Sequence, residues 1–396
     1  MELGPLTPVL HQMQVRAVRG ISAAGILHNP FFFFSSHPGV VIQFSECSTN
    51  PLTVDGAMAP DRLSPNDPRV THNTFTTNNK TYHYLLADPK DTPKATILLV
   101  HGWPDLGFGW RYQVPYLTSL GLRVIVPDGL GFGRSSAPQE LSTYSLKSMS
   151  SDMIALVNHV LGSNQEPVIL GGHDWGGALV WRLALWYPER IRAVFSVCTP
   201  YSPPNKTYLS PEQVVQKLPN FTYQLHLAGP EVEAKIKGKE AARQFVNGMY
   251  GGVGPSGERI FDVSKGVIFE NLPKVGRSPL FTPEEEEFYV TEYERTGLRG
   301  CLNWYRTRKI NYEEELELVE KGRVKITQPS LFVVATKDTA LPPAMSAGME
   351  AHFDKLERKE VTASHWALVE AAEEVNKHVG KWLEGVLGGS EFKASI

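Results

Sequence analysis

The stretch GGHDWGG, residues 171–177, follows the apolar run PVIL at 167–170. Glycine-x-nucleophile-x-glycine behind a strand is the turn that presents a serine for covalent catalysis, yet Asp174 stands at its centre. A carboxylate with a reference pKa of about 3.9 is already ionised at neutral pH and attacks carbon without help from a base. The product of such an attack is an ester on the protein itself, so a second step must hydrolyse it. Two later residues suit that step. Asp338 closes the run PSLFVVATKD, and His365 lies in TASHWALVEAAEEVNKHVGKWL, at the mouth of a helix. A histidine oriented by a carboxylate activates water. HGWP, residues 101–104, closes an early strand, where the amide of Trp103 can join that of Trp175 as an oxyanion hole.

Each residue also has a plainer reading. Gly-x-Asp-x-Gly alone is equally a turn, and a lone histidine such as His173 or His159 is usually a surface or hydrogen-bonded side chain. Asp128, in PDGLGFGRS, and Asp105, after HGWP, are rival acids; both sit in turns where aspartate favours a structural role. What distinguishes Asp174, Asp338, His365 and HGWP is position, because each falls at the carboxyl end of a strand-like run or in the turn after it.

Those runs recur with regular punctuation from about Thr71. KTYHYLLADP (80–89) alternates like a strand, while KATILLVHGWP (94–104), LRVIVPDGLGFGRS (122–135) and PSLFVVATKD (329–338) read as strands buried on both faces. Between them SLKSMSSDMIALVNHVLG (145–162) carries apolar residues at helical spacing. Strands alternating with helices predict an α/β protein with a mostly parallel central sheet flanked by helices, in which ligands bind beyond the strands' carboxyl ends. The order nucleophile, acid, histidine matches the α/β-hydrolase plan. From about residue 200 to 327 the chain is rich in helix formers and poor in strand runs. TPEEEEFYVTEYERTG (282–297) opens with a capping residue, Pro at the first helical position and early acids. The expected division is a poorly structured extension at 1–57, a first core part at 58–200, an inserted helical lid (cap) at 201–327 and a second core part at 328–396.

Composition excludes several functions. The 396 residues are 42% hydrophobic and 20% charged with net charge −3, ordinary globular material without the basic density that attracts nucleic acid. Cys47, Cys198 and Cys301 fit neither a disulfide framework nor a metal site. The Phe-rich stretch near the start is broken by Pro30 and Pro38, too short to span a membrane. The expectation is a cytoplasmic protein, with the extension leaving organelle targeting open and the oligomeric state undetermined.

HGWP, GGHDWGG, TKD and ASHW together resemble the epoxide hydrolases of the α/β-hydrolase fold, soluble and fungal members among them, from about Met58 to Leu387. The lid matches too. In NFTYQLHLAGPEVE and LRGCLNWYRTRK the resemblance assigns Tyr223 and Tyr305 as the pair that holds the epoxide oxygen, and Gln224 as a pocket residue. On the residues alone neither tyrosine stands out among 14 in the chain, and Trp304 and Tyr289 read as packing residues.

The resemblance implies a reaction that suits an aspartate. An epoxide has no carbonyl for a serine; its strained carbon is open to in-line displacement by Asp174, while two phenols stabilise the oxygen that leaves but stays tethered. Water activated by His365, oriented by Asp338, would then release a vicinal diol, and no metal, nucleotide or redox cofactor enters. A haloalkane or fluoroacetate dehalogenase would use the same Asp-His-Asp set, but those families usually place asparagine in the early turn or arginine after the nucleophile, where Trp103 and Trp175 stand here. A hydrolase-fold binding protein without turnover is the third alternative.

Overall fold

The computed structural model describes residues 60–162 and 165–388. The segment 1–57, read above as an extension, lies outside them. The alternating stretch at 80–89 becomes half of a hairpin, in which β1 (Thr71–Thr77) pairs antiparallel with β2 (Lys80–Ala87). Asn78 and Asn79 make the turn at φ 50° and 58°. Asparagine tolerates that backbone better than most side chains, and a two-residue turn of this hand matches the twist of the strands.

The remaining core follows in chain order: β3 (Ala95–Val100), α1 (Gln113–Ser119), β4 (Leu122–Pro127), α2 (Leu146–Leu161), β5 (Val168–His173), α3 (Trp175–Trp186) and β6 (Ile191–Val197). Helix α2 begins where Ser145 Oγ accepts the Ser148 amide at 3.1 Å and stops at Gly162, at φ 62°.

Seven helices then intervene, with one short hairpin: α4 (Pro211–Lys217), α5 (Thr222–Ala228), α6 (Glu231–Lys235), α7 (Gly238–Met249), β7 (Phe261–Asp262), β8 (Gly266–Val267), α8 (Pro283–Thr296), α9 (Arg299–Leu302) and α10 (Arg308–Glu320). This is the helical cap. Helix α8 starts on the capping box its sequence announces: Thr282 Oγ1 accepts the Glu285 amide at 3.2 Å, and Glu285 Oε2 accepts the Thr282 amide at 2.8 Å. The other oxygen of Glu285 accepts from the fully buried Arg111 of the core at 3.1 Å, so one side chain both starts a cap helix and ties it down.

The core resumes with β9 (Ser330–Ala335), β10 (Leu356–Val361), α11 (Ala367–Glu370) and α12 (Ala372–Leu387). Eight strands form one sheet in the order β1-β2-β4-β3-β5-β6-β9-β10. Pairs are parallel from β4 to β10; β1–β2 and β2–β4 are antiparallel. Every residue of β3, β5 and β9 is buried. Successive side chains point to opposite faces, so both faces are covered, as the continuous apolar runs require. Among the described residues no helix is long and apolar enough to cross a membrane.

Candidate active site

Asp174 sits between the last residue of β5 and the first of α3, at φ 52°, ψ −124°. A non-glycine residue held there costs about 1–3 kcal/mol, so its surroundings must impose it. They do so by close packing. A Cβ at Gly176 would collide with the Val100 carbonyl on β3, and one at Gly102 with Asp174 itself. The Thr199 hydroxyl donates to the Asp174 main-chain oxygen at 2.7 Å, fixing the turn from the end of β6.

The carboxylate is thereby thrust into a cavity of about 530 Å³ between core and cap. The Trp103 amide donates to its Oδ1 at 2.7 Å, and the Trp175 amide bonds to it as well. Burial raises the Asp174 pKa; the His365 charge and both amides oppose that rise without cancelling it.

His365 lies in the loop between β10 and α11, with Nε2 3.5 Å from Asp174 Oδ2. Its Nδ1 donates to Asp338 Oδ2 at 2.8 Å. Asp338 follows β9, and its Oδ1 accepts the amides of Ala340 at 2.8 Å and Leu341 at 2.9 Å. Burial works to raise the Asp338 pKa, but the His365 charge and these bonds prevail and hold it at about 2. Burial likewise works to lower the His365 pKa; the Asp338 charge and hydrogen bond outweigh it and push it up to about 9.

The cap supplies the opposite wall. Tyr223 and Gln224 are on α5, and Tyr305 is in the tight 3-10 turn Asn303–Arg306. All three line the cavity over Asp174. The two phenol rings lie 6.2 Å apart, and Tyr305 stands edge-on to Trp103 and Trp175 at 5.5 and 5.3 Å. The Gln224 amide donates to the Tyr223 hydroxyl at 3.4 Å, and the Trp175 side chain hydrogen-bonds Tyr305. Burial, then the charge of Asp174, raises both phenols above their ordinary range.

The structure therefore brings together every residue singled out in the sequence: Asp174, Asp338, His365, Trp103, Trp175, Tyr223, Tyr305 and Gln224. Four further residues support the site, of which His173 reads in the sequence as a hydrogen-bonded side chain and Asp105 as a structural acid. His173, buried, donates from Nε2 to the His365 main-chain oxygen at 2.8 Å, which fixes the histidine loop. Its ring nitrogen arrangement makes it a neutral donor, and burial lowers its pKa to about 4. Thr199 holds the turn at Asp174. Arg306 clamps the two tyrosine-bearing elements: Nε and Nη2 donate to the Ala228 and Gly229 carbonyls, both at 2.8 Å, at the end of α5. Its position beside Tyr305 in NWYR was the available signal. Asp105 Oδ1 accepts the Tyr250 and Tyr289 hydroxyls at 2.7 and 2.6 Å, anchoring the cap. Tyr289 is thus a bonded anchor as well as a packing residue. Asp128 holds His83 at 2.7 Å and the Gly107 and Arg134 amides at 3.0 Å, a structural role.

One cluster among the described residues, His173, Cys198 and His365, places potential metal-binding atoms within 4.8 Å. His173 Nε2 and the Cys198 thiol bond the His365 carbonyl and His365 Nδ1 bonds Asp338, while the buried His173 Nδ1 has no partner. Burial pushes the Cys198 thiol well above its ordinary range, which disfavours the thiolate a metal would need.

Arranged this way, the site joins a buried carboxylate bonded by two main-chain amides, a histidine held by a second carboxylate and lying 3.5 Å from Asp174 Oδ2, and two phenols across the cavity. Residues 95–238 match the family model described as the alpha/beta hydrolase fold. The chain is 50% identical over 343 residues to epoxide hydrolase srdG of Neurospora crassa, covering 83% of this chain and all of that one. It is 38% identical to bifunctional epoxide hydrolase 2 of Mus musculus over 73% of this chain, and spans 51% of that protein. The crystal structure of epoxide hydrolase A from Mycobacterium thermoresistibile superposes with a TM-score of 0.69 at 27% identity, covering 80% of this chain and 98% of that one.

Proposed function

The chain belongs to the epoxide hydrolases of the α/β-hydrolase fold, and from that premise we propose that it opens an epoxide to a vicinal diol through a covalent ester on Asp174. The observation that carries the mechanism is the asymmetry of the Asp174 carboxylate: Oδ1 is pinned by the Trp103 amide at 2.7 Å, while Oδ2 faces the cavity and His365.

In the resting site His365 is protonated, given its pKa of about 9, and its charge opposes the burial that raises the Asp174 pKa. Oδ2 attacks an epoxide carbon in line. The carbon–oxygen bond breaks, and the developing alkoxide takes a proton from Tyr223 or Tyr305. Such donors stabilise the transition state more than the substrate, because charge grows on oxygen as the ring opens.

Ester formation removes the Asp174 charge. One of the influences holding the proton on His365 is then lost, and the proton passes to the tyrosinate, leaving a neutral histidine and two phenols. His365 now takes a proton from water as the water attacks the Asp174 carbonyl carbon, and the Trp103 and Trp175 amides receive the oxyanion. Collapse expels the diol oxygen, which takes the second proton of the attacking water from the Asp174 carboxyl, and the ionised carboxylate facing a protonated His365 is restored. The sum is epoxide plus water to diol. One carboxylate oxygen of Asp174 derives from water.

That last point is the test. A single turnover in ¹⁸O-water, with enzyme in excess, should place the label on the peptide containing Asp174 and leave the first diol unlabelled. Label in the first diol would mean that water attacks the epoxide directly.

A further inference from the structure

Core residues hold His365 at two points, its Nδ1 by Asp338 and its main-chain oxygen by His173 and Cys198. A third hold reaches it from the cap, through the residue that follows it. The buried indole of Trp366 is gripped by two consecutive residues at the end of α7. The Tyr250 ring lies flat against it, with centroids 3.6 Å apart and planes 18° apart, and the Met249 carbonyl accepts its Nε1–H at 3.0 Å. The last four carbonyls of a helix find no donor within it, so this bond both finishes α7 and docks the indole. The Tyr250 hydroxyl donates in turn to Asp105 Oδ1 at 2.7 Å, in the turn after β3 that also carries Trp103. Asp105 and Tyr250 are buried as well.

Trp366 shares a peptide bond with His365, and its ring stands edge-on to the imidazole at 5.6 Å. Movement of the indole therefore moves the histidine. The two chemical steps differ in what that movement costs. In the first, His365 acts on Asp174 through its charge, an influence that falls off gently with distance. In the second it must take a proton from the attacking water, and a misplacement of about 1 Å in such a geometry costs on the order of a hundredfold. We propose that Tyr250 and Trp366 are positioning residues for ester hydrolysis: through them the cap holds His365 within reach of the water that attacks the Asp174 ester. This rests on the epoxide hydrolase reading of the same site. The cap then serves both steps, the first through Tyr223 and Tyr305 and the second through its grip on the histidine loop.

The test is rapid quench of wild type and variants mixed with excess styrene oxide, the ester on Asp174 being followed in time by mass spectrometry and the diol measured beside it. Tyr250→Leu removes both the stack and the hydroxyl. It should slow ester hydrolysis by about ten- to a hundredfold while ester formation stays within about twofold of wild type, so that ester accumulates. Trp366→Phe keeps a flat ring but loses the bond to Met249, and Tyr250→Phe keeps the stack but loses the bond to Asp105. Both should show the same selectivity for the second step at smaller size, and they decide the matter if Tyr250→Leu does not fold. Tyr289→Phe loses the other cap hydroxyl on Asp105 but leaves the Tyr250 stack in place, and should keep the ratio of the two rates at its wild-type value. Equal slowing of both steps in the Tyr250 and Trp366 variants, slowing of ester formation alone, or a matching loss in Tyr289→Phe would mean a general loosening of the cap and overturn the assignment. Diol formed with no ester on Asp174 in wild type or any variant would instead refute the covalent mechanism, and this inference with it.

Discussion

The two walls of the active site are built differently. On the core side, three chemical groups are held largely by main chain or by partners that are themselves so held: the Trp103 amide on Asp174, the Ala340 and Leu341 amides on Asp338, and His173 on the His365 carbonyl. On the cap side, Tyr223 and Tyr305 rest on side-chain contacts, from Gln224 and Trp175, and on the clamp of Arg306 between two short helical segments. A sheet fixes strand ends regardless of which side chains follow, whereas short helices must be positioned by specific side chains. In the proposed mechanism the division of labour follows: the core carries out both covalent steps, and the cap stabilises the charge released in the first.

That contrast can be broken from either side. Asp338→Asn keeps the shape of the core wall but removes the charge that orients and charges His365, and should produce the largest loss, about 10⁴-fold in steady-state turnover by analogy with the acid of other triads. Stopped-flow traces should place the loss in ester hydrolysis; a loss confined to ester formation would reverse the assignment. On the cap side, Tyr223→Phe and Tyr305→Phe should each slow ester formation by roughly a hundredfold, about 3 kcal/mol for one lost donor, with little change in substrate affinity. Pre-steady-state rates for the double variant equal to those of wild type would remove both phenols from the mechanism.

The smallest effect sharpens the electrostatic side of the comparison. His365 has a folded pKa of about 9 against 6.5 for the free side chain, with burial opposing the shift and Asp338 imposing it. A raised pKa contributes stability that is fully present below the unfolded value and is lost as pH climbs through the folded one. The stability advantage of wild type over His365→Gln, measured by urea unfolding, should therefore be greatest at pH 6.5 or just below and fall away toward pH 9 and above. An advantage that grows over that interval would mean that His365 is held neutral.

The same contrast explains what could be read in the sequence. The core wall was legible because local signals coincide with its chemistry: GGHDWGG marks a strand-to-helix turn, and TKD and HGWP mark strand ends. The buried strands β3, β5 and β9 were equally plain as unbroken apolar runs. Strand β10, with sequence LERKEV, was not, because it lies at the sheet edge and carries charges that a buried strand could not. Tyr223 and Tyr305 emerged only through the family resemblance, since no spacing relates residues brought together by packing of α5 against a separate turn. The clamp of Arg306 and the partners of His173 and Asp105, read in the sequence only as a hydrogen-bonded and a structural side chain, stayed hidden for a related reason: those partners are distant main-chain carbonyls or tyrosine hydroxyls, which no sequence motif announces.

The central claim is that Asp174 becomes covalently esterified and that release of the ester requires His365. His365→Gln removes the base for the second step and leaves the nucleophile, the amides and the tyrosines in place. Incubated with styrene oxide, this variant should gain the mass of one intact substrate by intact-protein mass spectrometry, and peptide mapping should locate the gain on Asp174. A matched bromoalkane should leave it unmodified. An adduct on any other residue, alkylation by the bromide alone, or no adduct in a folded variant whose wild type turns over the same epoxide would contradict the account.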